Sequence, residues 1–251
     1  MKDVTDPVSG EREKVRFSRG GSECAAWHCP GSDGSCVITA GGFAVTKEPG
    51  TDLFARRFHD AGFGVPAFDC RGFGESGGRP RQAASVSGRS AHWRAAVAFA
   101  ATLPEVDRSG LALWGFCASA DHLLRVAART PHLAAVIART PNVGGPAAAR
   151  LAERHQKPLS LLRLLGRGVR DAPRVRCPLH VVVREQDQSA SPTAAVHATR
   201  RAPRAELVRP PGGHHAPFPE ARERAVDAEV SFLRRHVLDS PVAPVASVER
   251  R

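Results

Sequence analysis

The sequence predicts an α/β fold: a mostly parallel sheet with helices on both faces. Three observations predict it. Short apolar runs alternate with longer segments whose apolar residues recur at helical spacing, from Cys36 to Val237. Each intervening helix carries the chain back to the same end of the sheet, so successive strands run parallel. The run Leu111-Ala-Leu-Trp114 is apolar throughout, which suits a strand covered on both sides. Finally, 251 residues with 42% apolar content suffice for one domain with a large buried core.

Taken in order, residues 14–18 and 23–29 read as strands around Gly20-Gly21, a hairpin signal. Cys36 to Ala40 is a buried strand ending in Gly41-Gly42-Phe43. Residues 52–61 form an amphipathic helix with Leu53, Phe54, Phe58 and Ala61 on one face. A strand over 64–68 runs into a glycine-rich turn, and a helix over 89–101 buries Trp93, Val97 and Ala100. Strands follow at 111–114, 133–138, 180–183 and 206–208, with helices at 119–129, 192–201 and 220–237. Residues 141–177 interrupt the alternation with a Gly-Gly-Pro, two helical patterns (147–155 and 159–165) and many arginines. They read as a short cap inserted over the carboxyl edge of the sheet, where open α/β sheets bind ligands. The core is then 1–140 with 178–238, and the Pro/Val/Ser-rich tail from 239 is expected to be disordered.

Composition narrows the function classes. No run approaches the roughly 18 apolar residues of a membrane span. The polar start lacks the apolar core of a signal peptide, so a cytoplasmic location and no membrane partner are expected. The six cysteines are scattered, and a domain of this size does not need disulfides. No motif has metal-ligand spacing, so neither metal nor other cofactor is expected. A net charge of +11 raises the question of nucleic acid, but the arginines are spread along the chain and no nucleic-acid module is present.

The stretch that organises the chain is Gly115-Phe116-Cys117-Ala118-Ser119, between the apolar strand and a helix, with no room for a loop. So abrupt a turn strains its middle residue and pushes it outward, and it needs small neighbours on both sides. Cys117 is thereby presented at the carboxyl edge of the sheet and the start of a helix. A thiol nucleophile needs a base, and the base needs an orienting group. Asp187 follows the strand 180–183 and His214 follows the strand 206–208, so three strand-end loops reach one edge. Taken singly, Cys117 also suits a buried turn cysteine, Asp187 a helix cap and His214 a loop histidine. Glu185 is a rival for the acid. Asp121 and His122 read as local packing and a favourable helix charge, and Asp69 and Arg71 as braces of the glycine-rich turn.

These motifs resemble the α/β-hydrolase superfamily. The pentapeptide is similar to its nucleophile elbow, with Cys for the usual Ser and Ser119 for the last Gly. Gly41-Gly-Phe43 resembles the His-Gly-Phe oxyanion segment, with Gly41 replacing the His. Phe68-Asp-Cys-Arg-Gly-Phe-Gly-Glu-Ser-Gly-Gly78 resembles the Asp-Tyr-Arg-Gly-Phe-Gly-x-Ser-Gly-Gly segment of these enzymes. The resemblance implies an α/β-hydrolase fold with a Cys117-His214-Asp187 triad, as in dienelactone hydrolases, which use Cys as nucleophile. It implies that the backbone N–H groups of Phe43 and Ala118 form the oxyanion hole. The implied reaction is hydrolysis of an ester, thioester or lactone through a thioester acyl-enzyme, on a small-molecule or carrier-bound acyl substrate. Two alternatives stand beside it: a non-hydrolytic tailoring enzyme of secondary metabolism (cyclase, epimerase or acyltransferase) and a non-catalytic binding module. A homodimer is left open, as is the role of the basic cap.

Overall fold

The computed structural model describes residues 12–19, 21–42, 45–81, 86–143, 168–214 and 220–238. Eight strands form one sheet: β1 (Glu13–Arg19), β2 (Ser22–Cys29), β3 (Cys36–Ala40), β4 (Val65–Phe68), β5 (Leu111–Phe116), β6 (Ala135–Arg139), β7 (Leu179–Val182) and β8 (Ala205–Val208). Their spatial order is β1-β2-β4-β3-β5-β6-β7-β8. The hairpin strand β2 runs antiparallel to β1 and β4, and β3 through β8 are all parallel. Gly21 at the hairpin takes φ +73, a conformation glycine adopts without steric cost.

Alternate residues of the central strands serve opposite faces. Ile38, Leu111, Leu113 and Val136 join Trp93, Leu123 and Leu124 in one core. Val37, Ala112, Trp114 and Ile137 join Phe54, Phe58, Phe232 and Leu233 in the other. The first face is covered by α2 (Val86–Ala100), α3 (Ala118–Ala127) and α5 (Pro192–Arg201), the second by α1 (Asp52–Asp60) and α6 (Glu220–Leu233). Each fully buried Leu, Ile or Phe contributes roughly 1.5–3 kcal/mol, which makes the two layers the main stabilising term. At the middle of the second layer the Trp114 ring stacks on Phe54 at 4.6 Å between centroids.

The elements depart from the sequence reading at their ends. β5 continues through Phe116, because its ladder with β6 extends to the pair Phe116–Arg139. β6 begins at Ala135 rather than 133, since Leu133 still closes a turn onto the Thr130 carbonyl. The regular part of α6 ends at Leu233, and a wider turn carries it to Leu238. Of the expected cap, residues 144–167 lie outside the described residues, and so do both its helical patterns and Arg150, Arg154, Lys157, Arg163 and Arg167. Its return is described: the short α4 (Gly168–Asp171) and a turn (Ala172–Arg174) pack against α3. The tail from 239 also lies outside. Among the described residues no helix is long and apolar enough to cross a membrane.

Candidate active site

Cys117 stands between β5 and α3 with φ 54 and ψ −115. A side chain with a Cβ rarely adopts this conformation, which costs about 1–3 kcal/mol and persists only where its surroundings enforce it. Here the enforcement is backbone bonding. The Cys117 N–H donates to the Arg139 carbonyl at 2.9 Å, and its own carbonyl accepts from Asn142 N at 3.1 Å and Asp121 N at 3.3 Å. Small neighbours are required as well. A Cβ on Gly115 would lie 2.8 Å from Leu123 Cδ1 and 3.1 Å from Ala120 N. One on Gly42 would lie 2.9 Å from Cys117 Cβ, so the segment after β3 passes directly against the turn.

Ser119, which replaces the last glycine of the elbow pattern, donates its buried hydroxyl to the Gly41 carbonyl. The far end of the same segment is fixed independently. Asp69 Oδ1 accepts from Lys47 N at 2.8 Å, while Oδ2 accepts from Lys47 Nζ at 2.9 Å and from Glu75 N at 3.1 Å. Asp69 is thus the brace expected of it, and it also holds the chain just beyond the expected oxyanion loop. Arg71 braces the turn from outside through Ser22 Oγ and the Arg79 carbonyl. Phe43 lies outside the described residues. Ala118 is the first residue of α3, so its N–H is among those a helix leaves without an internal partner.

The acid and the base arrive from the loops after β7 and β8. Asp187 Oδ1 accepts from Ser189 N and Ala190 N at 2.7 and 2.8 Å, which orients the carboxylate. Its Oδ2 accepts from His214 Nδ1 at 2.6 Å. That bond leaves Nε2 for the Cys117 sulfur, to which His214 is also hydrogen-bonded. The ring packs on Phe116 at 5.0 Å between centroids. His214 and Asp187 are buried, whereas Cys117 is partly exposed. Burial opposes charge on the imidazole, yet the bonds to Asp187 and Cys117 outweigh it and raise the His214 pKa to about 9. Glu185, the rival acid, points away and sits 3.8 Å from Arg209 at the surface.

Two buried groups near the site were not legible as such in the sequence. Asp121 packs locally as read, but it is fully buried and its Oδ1 accepts from Gly168 N at 3.0 Å, a partner 47 positions away. Burial, with Asp171 adding to it against the Gly168 bond, raises the Asp121 pKa to about 7. On the other face, Glu229 accepts from Trp114 Nε1 and Arg139 Nε, both at 2.9 Å. Arg139 and Glu229 are 90 positions apart, so no local pattern announces the pair. Among the described residues no three His, Cys, Asp or Glu side chains converge as a metal-ligand set.

No protein-family model matches the chain. It is 30% identical to the quorum-quenching protein AidA of Acinetobacter baumannii over 160 residues, 62% of this chain and 51% of that protein. It is 32% identical to a thiohydrolase of Eupenicillium brefeldianum over 119 residues, 47% of this chain and 39% of that protein. The chain thus spans about half the length, or less, of the curated relatives it matches. Among solved structures, the crystal structure of the α/β-hydrolase GrgF from Penicillium superposes with a TM-score of 0.79 at 22% identity. That match covers 90% of this chain and 99% of GrgF. With the eight-stranded order and the turn at residue 117, this likeness establishes that the chain has the α/β-hydrolase fold.

Proposed function

We propose that the protein is a hydrolase that cleaves an ester, thioester or lactone through Cys117, His214 and Asp187. One observation carries the reading: a continuous hydrogen-bonded chain runs from the Asp187 carboxylate through the His214 ring to a sulfur on a strained turn at the sheet's carboxyl edge. A thiolate is the nucleophilic form of cysteine, and an adjacent imidazolium stabilises it. The raised His214 pKa favours the charged imidazolium beside the Cys117 sulfur, and the N-terminus of α3 adds a field that favours negative charge there.

In the first half-reaction the Cys117 sulfur attacks the carbonyl carbon. The carbonyl π pair moves onto oxygen, facing the N–H of Ala118 and, as second donor, that of Phe43; such donors contribute roughly 3 kcal/mol each. The tetrahedral intermediate collapses by breaking the bond to the alkoxide or thiolate, which leaves with the proton from His214. In the second half, His214 takes a proton from water as that water attacks the thioester. Free acid departs and the sulfur regains its resting form. Asp187 holds the ring and offsets its charge throughout. The name of the Eupenicillium relative, thiohydrolase, is consistent with a thioester substrate.

The test uses p-nitrophenyl and N-acetylcysteamine acyl substrates, with intact-protein mass to detect acylation and product analysis to follow its fate. Acyl adduct on Cys117 followed by free acid supports hydrolysis. Transfer of the acyl group to an added alcohol or amine would instead identify an acyltransferase. No adduct and no turnover with any acyl donor would leave a binding module.

A further inference from the structure

Arg184 is a buried arginine two residues after the end of β7, at the base of the loop that carries Asp187. Its carbonyl accepts from Asp187 N at 3.2 Å, closing the turn that presents the carboxylate. Its Nη1 donates to the carbonyl of Pro211, three residues before His214. Between them lie Gly212, at φ +104, and Gly213, where a Cβ would lie 3.7 Å from the Gln186 carbonyl. Two successive glycines have no side chains with which to fix the path of the loop. The geometry points to Arg184 as a positioning residue: its guanidinium fastens the loop bearing His214 to the loop bearing Asp187. The inference rests on the triad reading above.

The energetic setting argues that this arginine is not there for stability. Among the described residues its buried Nη2 has no hydrogen-bond partner, and neither has Arg139 Nη2, whose charge acts on Arg184. Two like charges share the interior, offset by Asp187 and Glu229. Burying a guanidinium beside a like charge, with one of its nitrogens left unpaired among the described residues, costs stability rather than adding it. What an apolar residue cannot supply is a donor to the Pro211 carbonyl, the contact that spans the two loops. Arg184 acts through the spacing of the other two side chains rather than on the sulfur itself.

The experiment follows Cys117 alkylation by iodoacetamide from pH 5 to 9, read by peptide mass. It adds kcat and KM on a p-nitrophenyl acyl ester and thermal melting, for wild type, H214A, R184M, R184Q and R184K. In R184M kcat is expected to fall about 100-fold with KM within about 3-fold, the pattern of lost positioning rather than lost binding. The alkylation midpoint should rise by about one pH unit, making labelling at pH 6 about 10-fold slower. R184K, which keeps a donor and the charge, should recover at least about 10-fold of the lost kcat. A folded R184M with wild-type alkylation and turnover overturns the inference, and so does one whose melting temperature falls while the alkylation profile stays in place. Should R184M not fold, R184Q decides: an unshifted profile overturns, a raised midpoint supports. H214A separates the two readings. If it leaves Cys117 alkylation unchanged, the triad itself fails; if it shifts the profile and R184M does not, only the role of Arg184 fails.

Discussion

The Ser119 hydroxyl reaches across 78 positions of sequence to donate to the Gly41 carbonyl. It joins the last residue of the elbow to the strand end from which the expected oxyanion segment departs. Because the pair is buried, S119A leaves the carbonyl without this donor, at a cost of about 1–3 kcal/mol. Urea denaturation should show that loss. Steady-state kinetics should show a further drop in kcat of about 10-fold, since the segment is no longer tied to the turn. Unchanged kcat with reduced stability would make the bond purely architectural.

Gly42 tests the same approach from the other side. A Cβ there would lie 2.9 Å from Cys117 Cβ and 3.2 Å from Phe116 Cδ1. Overpacking of this kind typically costs about 1–3 kcal/mol, and here one of the displaced groups carries the sulfur. G42A is therefore expected to lose at least about 100-fold in kcat while remaining folded by circular dichroism. Full activity in G42A would mean that the crossing has slack.

The pH dependence of stability carries the signature of His214. Its native pKa is raised to about 9 against an unperturbed value near 6.5. A raised pKa means that the stabilisation is complete below about pH 6.5 and disappears as the pH climbs through 9; the full effect is about 3 kcal/mol. Wild type should exceed H214Q in stability most at pH 6 and least at pH 9.5, as measured by denaturant midpoints. A constant difference across that range would contradict the paired imidazolium.

Asp121 has the same sign with the opposite practical consequence. Burial raises its pKa to about 7, so its neutral form fits the fold and the charged form strains it. Stability linked to this group is intact below about pH 4 and is lost as the pH passes 7. Asparagine keeps an oxygen for Gly168 N without acquiring charge. D121N should melt higher than wild type at pH 8, by roughly 4–8 °C for about 2 kcal/mol, and no higher at pH 4. A lower melting temperature at pH 8 would show that the charge is wanted there.

Glu229 balances Arg139 in a site closed to water. Removing one partner of a buried pair costs about 3–5 kcal/mol, because the other charge is left uncompensated. E229Q should lose most of that and E229A all of it. The double variant E229L/R139M should regain more than half, and a calorimetric cycle measures the difference.

The parts of the site that follow from spacing were readable in the sequence. A five-residue passage from strand to helix leaves Cys117 no ordinary conformation. Asp187 and His214 each sit where a parallel strand must end at the common edge, and the structure brings all three into one bonded chain. What could not be read depends on contacts between distant segments. Glu229 lies on a helix rich in charged residues, and only the fold turns it inward toward Trp114 and Arg139. Arg184 carries the residue type most often found at surfaces, yet it is buried and bonded to the Pro211 carbonyl, 27 positions away. Asp121 looked like a helix-end acid, because nothing local shows that the chain returns at Gly168 to cover it. Ser119 looked like a departure from the elbow pattern; its hydroxyl has a use that the pattern does not encode.

Trp114 sits immediately before Gly115, the first residue of the elbow, and its indole is bonded to the Glu229 carboxylate on α6. Indole emission responds to a neighbouring charge, so this ring is an intrinsic optical gauge of whether that helix is seated. Detachment of α6 would therefore register as a spectral change in β5 before the sheet itself came apart.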